Sequence, residues 1–227
     1  GGFANGSEGI ALGGGYILNG KDALISGADS AILVDDGSGN SGLAATTLEN
    51  FGTIQGLNGF GVKLVGEFAD SVINGGTISG SNGLALDLGG GNDSLTLRNG
   101  SRFLGVVDGG SGYDRVVMDD AAGGSFGASR NFEWLEVKQG AWTLTGSGDF
   151  SNGGAVRNGA TLINQGSIAG NLSVDAGALG VEGQERRLVQ QALQVEIRAV
   201  ADQFYFEVIR LVEGFFALER QYLQIVG

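Results

Sequence analysis

The feature that most constrains this chain is a phrase, N-x-G-[ST]-I-x-G, that recurs in its glycine-rich part. The phrase stands at residues 50–56 (NFGTIQG), 74–80 (NGGTISG) and 164–170 (NQGSIAG), each time after a short β-prone run. The first two copies begin 24 residues apart. Self-similarity at this spacing is typical of repeat proteins, in which each repeat forms one supersecondary unit.

A second repeat overlaps the first at an offset of 21 residues. Residues 86–97 (LDLGGGNDSLTL) align with residues 107–118 (VDGGSGYDRVVM) so that apolar residues match apolar ones, glycine matches glycine and aspartate matches aspartate. A unit this short cannot bury its own apolar face, so stacked units must share one core. We therefore expect Leu95 to pair with Val116, inward apolar residues to alternate with outward polar ones, and Gly and Asn to form the corners.

These patterns predict an all-β fold, a parallel β-helix of about eight coils. A leucine-rich repeat has a similar period, but its L-x-x-L-x-L spacing and its helix in each repeat are missing here. Only two of the 45 glycines, Gly214 and Gly227, follow residue 183. We therefore place a domain boundary there, with the β-helix over residues 1–183 and a different segment over residues 184–227.

The segment 184–227 is expected to be a cap or an association element. Apolar residues at the spacing of a helical stripe favour a helix: Leu188, Ala192, Val195 and Ala199. Residues 204–208 (FYFEV) are equally good as a strand, so a short group of strands remains the alternative. In either form the segment is too apolar to remain bare in water, and we expect it to cover the open end of the β-helix, pair with a second copy or bind a partner.

Composition excludes several classes of function. The chain has no Cys and no His, which excludes a Ser-His-Asp triad, a cysteine nucleophile, a zinc finger and an iron–sulfur cluster. A net charge of −12 argues against binding to nucleic acid, which requires a basic surface. No apolar run reaches the roughly 18 residues of a membrane-spanning helix. The start GGFANG, without Met, predicts a mature or excised piece whose signal peptide lies upstream.

Four longer phrases together resemble the passenger domains of Gram-negative autotransporters: LDLGGGNDSLTLRNGS (86–101), GVVDGGSGYDRVVM (105–118), FEWLEVKQGAWTLTGSG (132–148) and NGATLINQGSIAGNLSVDAGAL (158–179). The resemblance covers roughly residues 20–180. It implies a right-handed β-helix that is secreted through an outer-membrane translocator barrel and is displayed on, or shed from, the cell surface. The chain would then be a passenger fragment, because no barrel sequence follows.

The resemblance implies adhesion, self-association or a stalk as the role, without catalysis. The expected partners are a surface protein or glycan of the host or of bacteria, the translocator barrel during export, and a second copy of the chain through residues 184–227. No nucleic-acid partner is expected.

A calcium site is the sharpest candidate for a binding function, and the alternative to the adhesive role is a calcium-stabilised carbohydrate-binding module. Residues 109–117 (GGSGYDRVV) fit the nonapeptide G-G-x-G-x-D-x-U-x of calcium-binding β-rolls, and residues 88–96 nearly do. Stacking would bring four carboxylates together as possible Ca²⁺ ligands: Asp87, Asp93, Asp108 and Asp114. The alternative is that these residues only form turns by accepting hydrogen bonds from their own backbone, and it stays open.

Two acid pairs, Asp35-Asp36 and Asp119-Asp120, suggest a polysaccharide-cleaving enzyme as a further alternative. Glycoside hydrolysis requires two carboxylates across a cleft, whereas adjacent residues of a strand point to opposite faces. Three nearby arginines are expected to form surface ion pairs instead: Arg98, Arg102 and Arg115.

Two further residue sets are expected to be structural. The recurring Asn50, Asn74 and Asn164 should stack in a hydrogen-bonded ladder along the β-helix. The aromatic residues Phe132, Trp134 and Trp142 could stack on a sugar ring, but burial in the core is favoured.

Overall fold

The computed structural model describes residues 8–182 and, in the tail, residues 198–200, 203–212 and 215–223. This described part consists of strands and turns, without a helix. The strands of residues 8–182 stack in parallel, one coil upon the next. The protein is therefore a β-solenoid, and the expected all-β parallel architecture is confirmed.

One sheet, called sheet 1, takes one strand from each of eight successive coils, which confirms the expected number. Its strands, in order along the stack, are β2 (Gly15–Asn19), β5 (Thr46–Asn50), β8 (Ser71–Asn74), β11 (Ser94–Leu97), β14 (Arg115–Asp119), β17 (Trp134–Gln139), β20 (Gly154–Val156) and β23 (Leu172–Val174).

Sheet 2 forms the two other sides of the early coils. Its strands are β1 (Ile10–Leu12), β3 (Leu24–Gly27), β4 (Ile32–Val34), β6 (Thr53–Gly56), β7 (Val62–Leu64), β9 (Thr77–Asp87), β12 (Arg102–Asp108) and β16 (Ser129–Arg130). The long strand β9 passes around a corner, because its first residues pair with β6 and its last residues pair with β7.

Shorter sheets complete the later coils. Sheet 3 contains β15 (Gly124–Phe126), β18 (Ala141–Leu144), β21 (Thr161–Asn164) and β24 (Leu179–Glu182). Two strand pairs remain, β10 (Gly90–Gly91) with β13 (Ser111–Gly112), and β19 (Ser147–Gly148) with β22 (Ser167–Ile168). The pair β10–β13 lines the corner that leads from sheet 2 into sheet 1, and this corner is called the glycine corner below.

The register between coils follows the second sequence repeat. Leu95 pairs with Val116, and Asp87 pairs with Asp108, as the offset of 21 residues predicts. The coils are not equal in length, however. The spacing between stacked side chains falls from 31 residues between Asn19 and Asn50 to 19 residues between Asp114 and Glu133. The solenoid therefore tapers towards its C-terminal coils.

Like side chains stack directly upon one another inside the solenoid. One buried column of sheet 1 contains Ile17, Leu48, Val72, Leu95, Val116 and Leu135. Burial of each such side chain contributes roughly 1.5–3 kcal/mol to folding. The core is therefore a continuous column, in which each coil covers the apolar face of its neighbour.

A ladder of asparagine side chains runs along the end of sheet 1. Asn19 Nδ2 donates to Asn50 Oδ1 at 2.8 Å, and Asn50 Nδ2 donates to Asn74 Oδ1 at 2.7 Å. Asn74 Nδ2 ends the ladder by donating to Ser101 Oγ at 2.9 Å. All three amides are buried, so each of them depends on the next coil for a hydrogen-bond partner.

The expected third member of the ladder, Asn164, is not in it, and that prediction was wrong. Asn164 ends β21 of sheet 3, where it pairs with Leu144 and Glu182. Its Oδ1 accepts a hydrogen bond from Gly166 N at 3.1 Å, as Asn74 Oδ1 does from Gly76 N at 3.3 Å. The recurring phrase thus encodes a local Asn-x-Gly turn, which the chain uses at two different corners.

In the tail, the described residues adopt strands rather than the favoured helix. These strands are β25 (Arg198–Val200), β26 (Gln203–Val212) and β27 (Phe215–Leu223), and they pair in antiparallel order. The density of aromatic and β-branched residues in β26 explains why the strand alternative prevails. The helical stripe from Leu188 to Val195 lies outside the described residues. No helix in the described part is long and apolar enough to cross a membrane.

Replacement of Asn50 by alanine should destabilise the solenoid, because it removes the side-chain hydrogen bonds to Asn19 and Asn74 and the buried acceptor of Gly52 N. Each unsatisfied buried group costs about 1–3 kcal/mol. Chemical denaturation should therefore show a loss of a few kcal/mol for Asn50→Ala. Asn152→Ala is the matched control, because the Asn152 side chain is exposed and makes no hydrogen bond to a described residue. Equal stability of the two variants would contradict the ladder.

Candidate functional site

The four aspartates proposed as calcium ligands all lie at the glycine corner. Asp87 and Asp108 end strands β9 and β12, on the side of the corner that faces sheet 2. Asp93 and Asp114 come just before β11 and β14, on the side that faces sheet 1. The structure therefore arranges them as two columns on either side of the strand pair β10–β13.

In the first column, the carboxylates of Asp87 and Asp108 form turns. Asp87 Oδ1 accepts a hydrogen bond from Gly89 N, and Asp108 Oδ1 accepts one from Gly110 N, each at 3.1 Å. Asp108 Oδ2 also accepts a hydrogen bond from Arg130 Nε at 2.7 Å within an ion pair. Burial raises the pKa of Asp87, and the nearby negative charge of Asp108 raises it further.

The second column is a ladder of acids that binds backbone N–H groups of the preceding coil. Asp70 Oδ1 accepts from Thr46 N at 2.6 Å, and Asp93 Oδ1 accepts from Asp70 N at 2.7 Å. Asp114 Oδ1 accepts from Asp93 N at 2.7 Å, and Glu133 Oε2 accepts from Asp114 N at 2.6 Å. These four residues are called the acid ladder.

Sequence reasoning found only the two middle members of the acid ladder. Asp70 and Glu133 were missed because neither lies in the aligned repeat of residues 86–118. A signal for them was nevertheless present. Each ladder acid directly precedes a strand of sheet 1, as in Asp70-Ser71 and Glu133-Trp134. An acid at the entrance to successive sheet 1 strands is therefore the pattern that identifies the ladder.

The interior of the acid ladder is strongly shielded from solvent. Asp93 and Asp114 are 1% and 0% exposed, and the Oδ2 atom of each has no hydrogen-bond partner among the described residues. Burial raises the pKa of Asp93 to about 8, and the charges of Asp114, Asp70 and Glu67 contribute to the increase. Burial likewise raises the pKa values of Asp70 and Asp114 to about 6. At neutral pH, Asp93 is therefore mostly a neutral carboxylic acid.

The two columns do not converge on a common centre. Among the described residues, no group of three or more acids is arranged to hold a metal ion. Asp87 and Asp108 accept hydrogen bonds from their own turns, as the turn alternative requires, whereas Asp93 and Asp114 accept them from the backbone of the preceding coil. Calcium binding by Asp87, Asp93, Asp108 and Asp114 stays a prediction.

A cleft of about 390 Å³ opens on the outside of the glycine corner. The polar side chains that line it are Asn40, Ser41, Lys63, Glu67, Asp87 and Ser111. Asn40 and Ser41 belong to the long loop of the first coil, and the other residues come from the next three coils. The cleft volume lies in the range of small-molecule binding sites.

The acid pairs proposed for catalysis lie where strands β4 and β14 end and turns begin. Hydrogen bonds from Ser38 lower the pKa of Asp36, and the backbone N–H of Ala122 lowers the pKa of Asp120. Asp35 is buried and accepts a hydrogen bond from Gly37 N at 2.9 Å. Asp119 pairs with Arg98 at 3.4 Å. Neither pair lines the cleft.

The other two arginines make no ion pair with a described residue. Arg115 Nε donates to Ser94 Oγ at 3.1 Å, and Arg102 is exposed on β12. The expectation of surface ion pairs therefore holds for Arg98 alone.

The aromatic residues are mainly structural. Phe132 and Trp142 are fully buried, which confirms the core assignment for both. Trp142 Nε1 donates a hydrogen bond to Gln139 O at 3.0 Å. Trp134 lies on the outer side of β17 and is half-buried.

Comparison of this chain with protein-family models, with curated proteins and with solved structures finds no match.

The acid ladder predicts that the solenoid loses stability as the pH rises. A carboxyl group whose pKa is higher in the folded chain than in the unfolded chain stabilises the fold fully below about pH 4, and this contribution is lost as the pH rises through its folded pKa. The loss begins near pH 4, where these carboxyl groups ionise in the unfolded chain. It is complete above the folded pKa values, which are about 6 for Asp70 and Asp114 and about 8 for Asp93. We expect thermal unfolding to show a falling Tm from about pH 5 to about pH 9.

Asp93→Asn should flatten this dependence, because the amide keeps an acceptor for Asp70 N and does not ionise. Asp22→Asn is the control, since Asp22 is exposed and outside the ladder. A Tm that rises from pH 5 to pH 8 in the unmodified chain would contradict the ionisation behaviour assigned to the ladder.

The calcium hypothesis is tested by thermal unfolding with added calcium and with a chelator. Calcium bound only to the folded chain raises its Tm by mass action. The double variant Asp87→Asn, Asp108→Asn should abolish the increase if these residues are ligands. Equal Tm values in calcium and in chelator would contradict the hypothesis and leave the four residues with their structural roles.

Proposed function

We propose that this chain is a module of an autotransporter-type passenger, secreted to the surface of a Gram-negative bacterium, and that it works without catalysis in adhesion, in self-association or as a stalk. The observation that carries the proposal is the unbroken stack of eight in-register coils from β2 to β23. The four phrases that carry the passenger resemblance follow one another along this stack, from the end of β9 to the start of β24.

The stack supports a role in secretion because each coil contacts mainly its neighbours. Folding of such a solenoid can propagate from one coil to the next. A chain that emerges gradually through a pore can therefore fold as it emerges. The absence of cysteine removes the danger of incorrect disulfides in an oxidising space.

The stack also supports a mechanical or adhesive role. Eight strands at about 4.8 Å each give sheet 1 a length of roughly 40 Å. Its outer surface carries many small polar residues, including Thr47, Ser71, Ser94, Thr96 and Ser173. Such an extended surface suits contact with a surface protein, with a glycan or with a second copy.

The proposal is tested by displaying the chain on a Gram-negative cell. The chain is placed between a secretion signal and an autotransporter translocator barrel, and surface staining, cell settling and adhesion to host cells are measured. We expect surface staining, together with faster settling or stronger adhesion than cells with the barrel alone. Val116→Asp should abolish both, because it places an unpaired charge in the buried column.

Retention inside the cell, or settling and adhesion equal to those of the barrel alone, would overturn the proposal. Cleavage of an acidic polysaccharide by the purified chain would instead favour the enzymatic alternative.

A further inference from the structure

The arrangement of side chains in the cleft at the glycine corner depends on glycine at residue 90. A Cβ atom at Gly90 would lie 2.7 Å from Glu67 Oε1 and 2.7 Å from Ser111 Oγ. Its neighbours Gly89 and Gly91 have positive φ angles of 82° and 125°, but Gly90 does not. Backbone conformation therefore favours glycine at positions 89 and 91, whereas at position 90 a side chain would collide with the Glu67 and Ser111 side chains that line the cleft.

The charges that line the cleft disfavour an anionic ligand. Lys63 lies one coil before Asp87 in the same register, and its ammonium group is 5.0 Å from the centre of the Phe60 ring. The lysine charge thus lies over the Phe60 ring and is close enough to Asp87 to lower the pKa of that carboxyl group. Glu67 is exposed and its carboxylate makes no hydrogen bond to a described residue, so the free charge of the cleft is negative.

The remaining polar groups suit a ligand rich in hydroxyl groups. Glu67 and the second oxygen of Asp87 are acceptors, while Ser111 and Ser41 can donate or accept. The exposed ring of Phe68 lies beside the cleft, since a Cβ at Gly66 would be 3.4 Å from Phe68 Cδ2. An apolar ring face next to acceptors and hydroxyls matches a sugar ring, which has an apolar face and a rim of hydroxyl donors.

We propose that this cleft binds a short segment of an uncharged saccharide, with Glu67 and Asp87 accepting its hydroxyl hydrogen bonds and with the bare backbone of Gly90 allowing Glu67 and Ser111 to hold their positions in the cleft wall. The inference rests on the proposed adhesive function and gives that function a ligand class. Because the lining residues come from four successive coils, the saccharide segment lies across the coils, along the axis of the solenoid.

The test uses the purified full chain and isothermal calorimetry with defined probes. The probes are uncharged tetrasaccharides of glucose, of mannose and of N-acetylglucosamine, with an oligogalacturonate and an oligolysine as charged comparisons. We expect one uncharged tetrasaccharide to bind, and the oligogalacturonate to leave this binding unchanged.

Gly90→Val should push Glu67 and Ser111 out of their positions in the cleft and weaken binding at least about tenfold. The protein should still fold, because the new side chain meets only the ends of two flexible side chains. Gly127→Val is the matched control, since a Cβ there meets nothing within 4 Å and Gly127 has no positive φ angle. Glu67→Gln and Asp87→Asn provide a second measurement that does not depend on a displacement of the cleft wall, and each should weaken binding.

Three results would overturn the saccharide site. The first is that no uncharged tetrasaccharide binds. The second is that a tetrasaccharide binds equally well to the Gly90→Val variant. The third is that only oligolysine binds and that Gly90→Val abolishes its binding. Displayed cells separate this inference from the proposed function. Adhesion that is equally strong with Gly90→Val leaves the adhesive function intact and removes the cleft from it, whereas cells that neither settle nor adhere contradict the function itself.

Discussion

Each coil of this solenoid must find its hydrogen-bond partners in the coils next to it, and the rest of the structure depends on this requirement. Along sheet 1 the backbone satisfies the requirement directly, through the parallel ladder. At the glycine corner it does not. There the N–H groups of Thr46, Asp70, Asp93 and Asp114 donate to carboxyl groups of the following coil. Because buried N–H groups are almost always paired, these acids take the place of missing carbonyl acceptors, which explains why carboxyl groups occupy the interior of the column.

Sheet 1 is thus bordered by two polar ladders that differ in chemistry. At the exit of its strands, Asn50 and Asn74 use neutral amides, in which donor and acceptor repeat from coil to coil. At the entrance, Asp93 and Asp114 offer only acceptors when ionised and stack close to one another. A column of buried charges repels itself and is poorly solvated, so protonation relieves it. The asparagine ladder therefore stabilises the fold at any pH, whereas the acid ladder links the fold to proton binding.

The sequence predicts the features that repeat from one coil to the next. The offset of 21 residues places Leu95 on Val116 because a shift by one residue would expose the whole apolar set. It does not predict which corner a given turn occupies, as Asn164 demonstrates. The phrase around Asn164 is that of the ladder, but it encodes only a local Asn-x-Gly turn. Glu133 was missed for the opposite reason, because a glutamate replaces aspartate in the same structural role and so hides the repeat.

The cleft arises where the repeat is least regular. The first coil has 31 residues between the stacked Asn19 and Asn50, whereas a later coil has only 19 residues between the stacked Asp114 and Glu133. Its extra residues include the loop with Asn40, which reaches the corner of the next coils. A strictly periodic stack exposes the same side chains in every coil and offers no enclosed space, so a pocket requires a departure from the period. The long loop above the corner and the change from Gly90 to Ser111 in the next coil are two such departures at one place. Selective recognition by this solenoid is therefore expected at that corner rather than on the uniform outer surface of sheet 1.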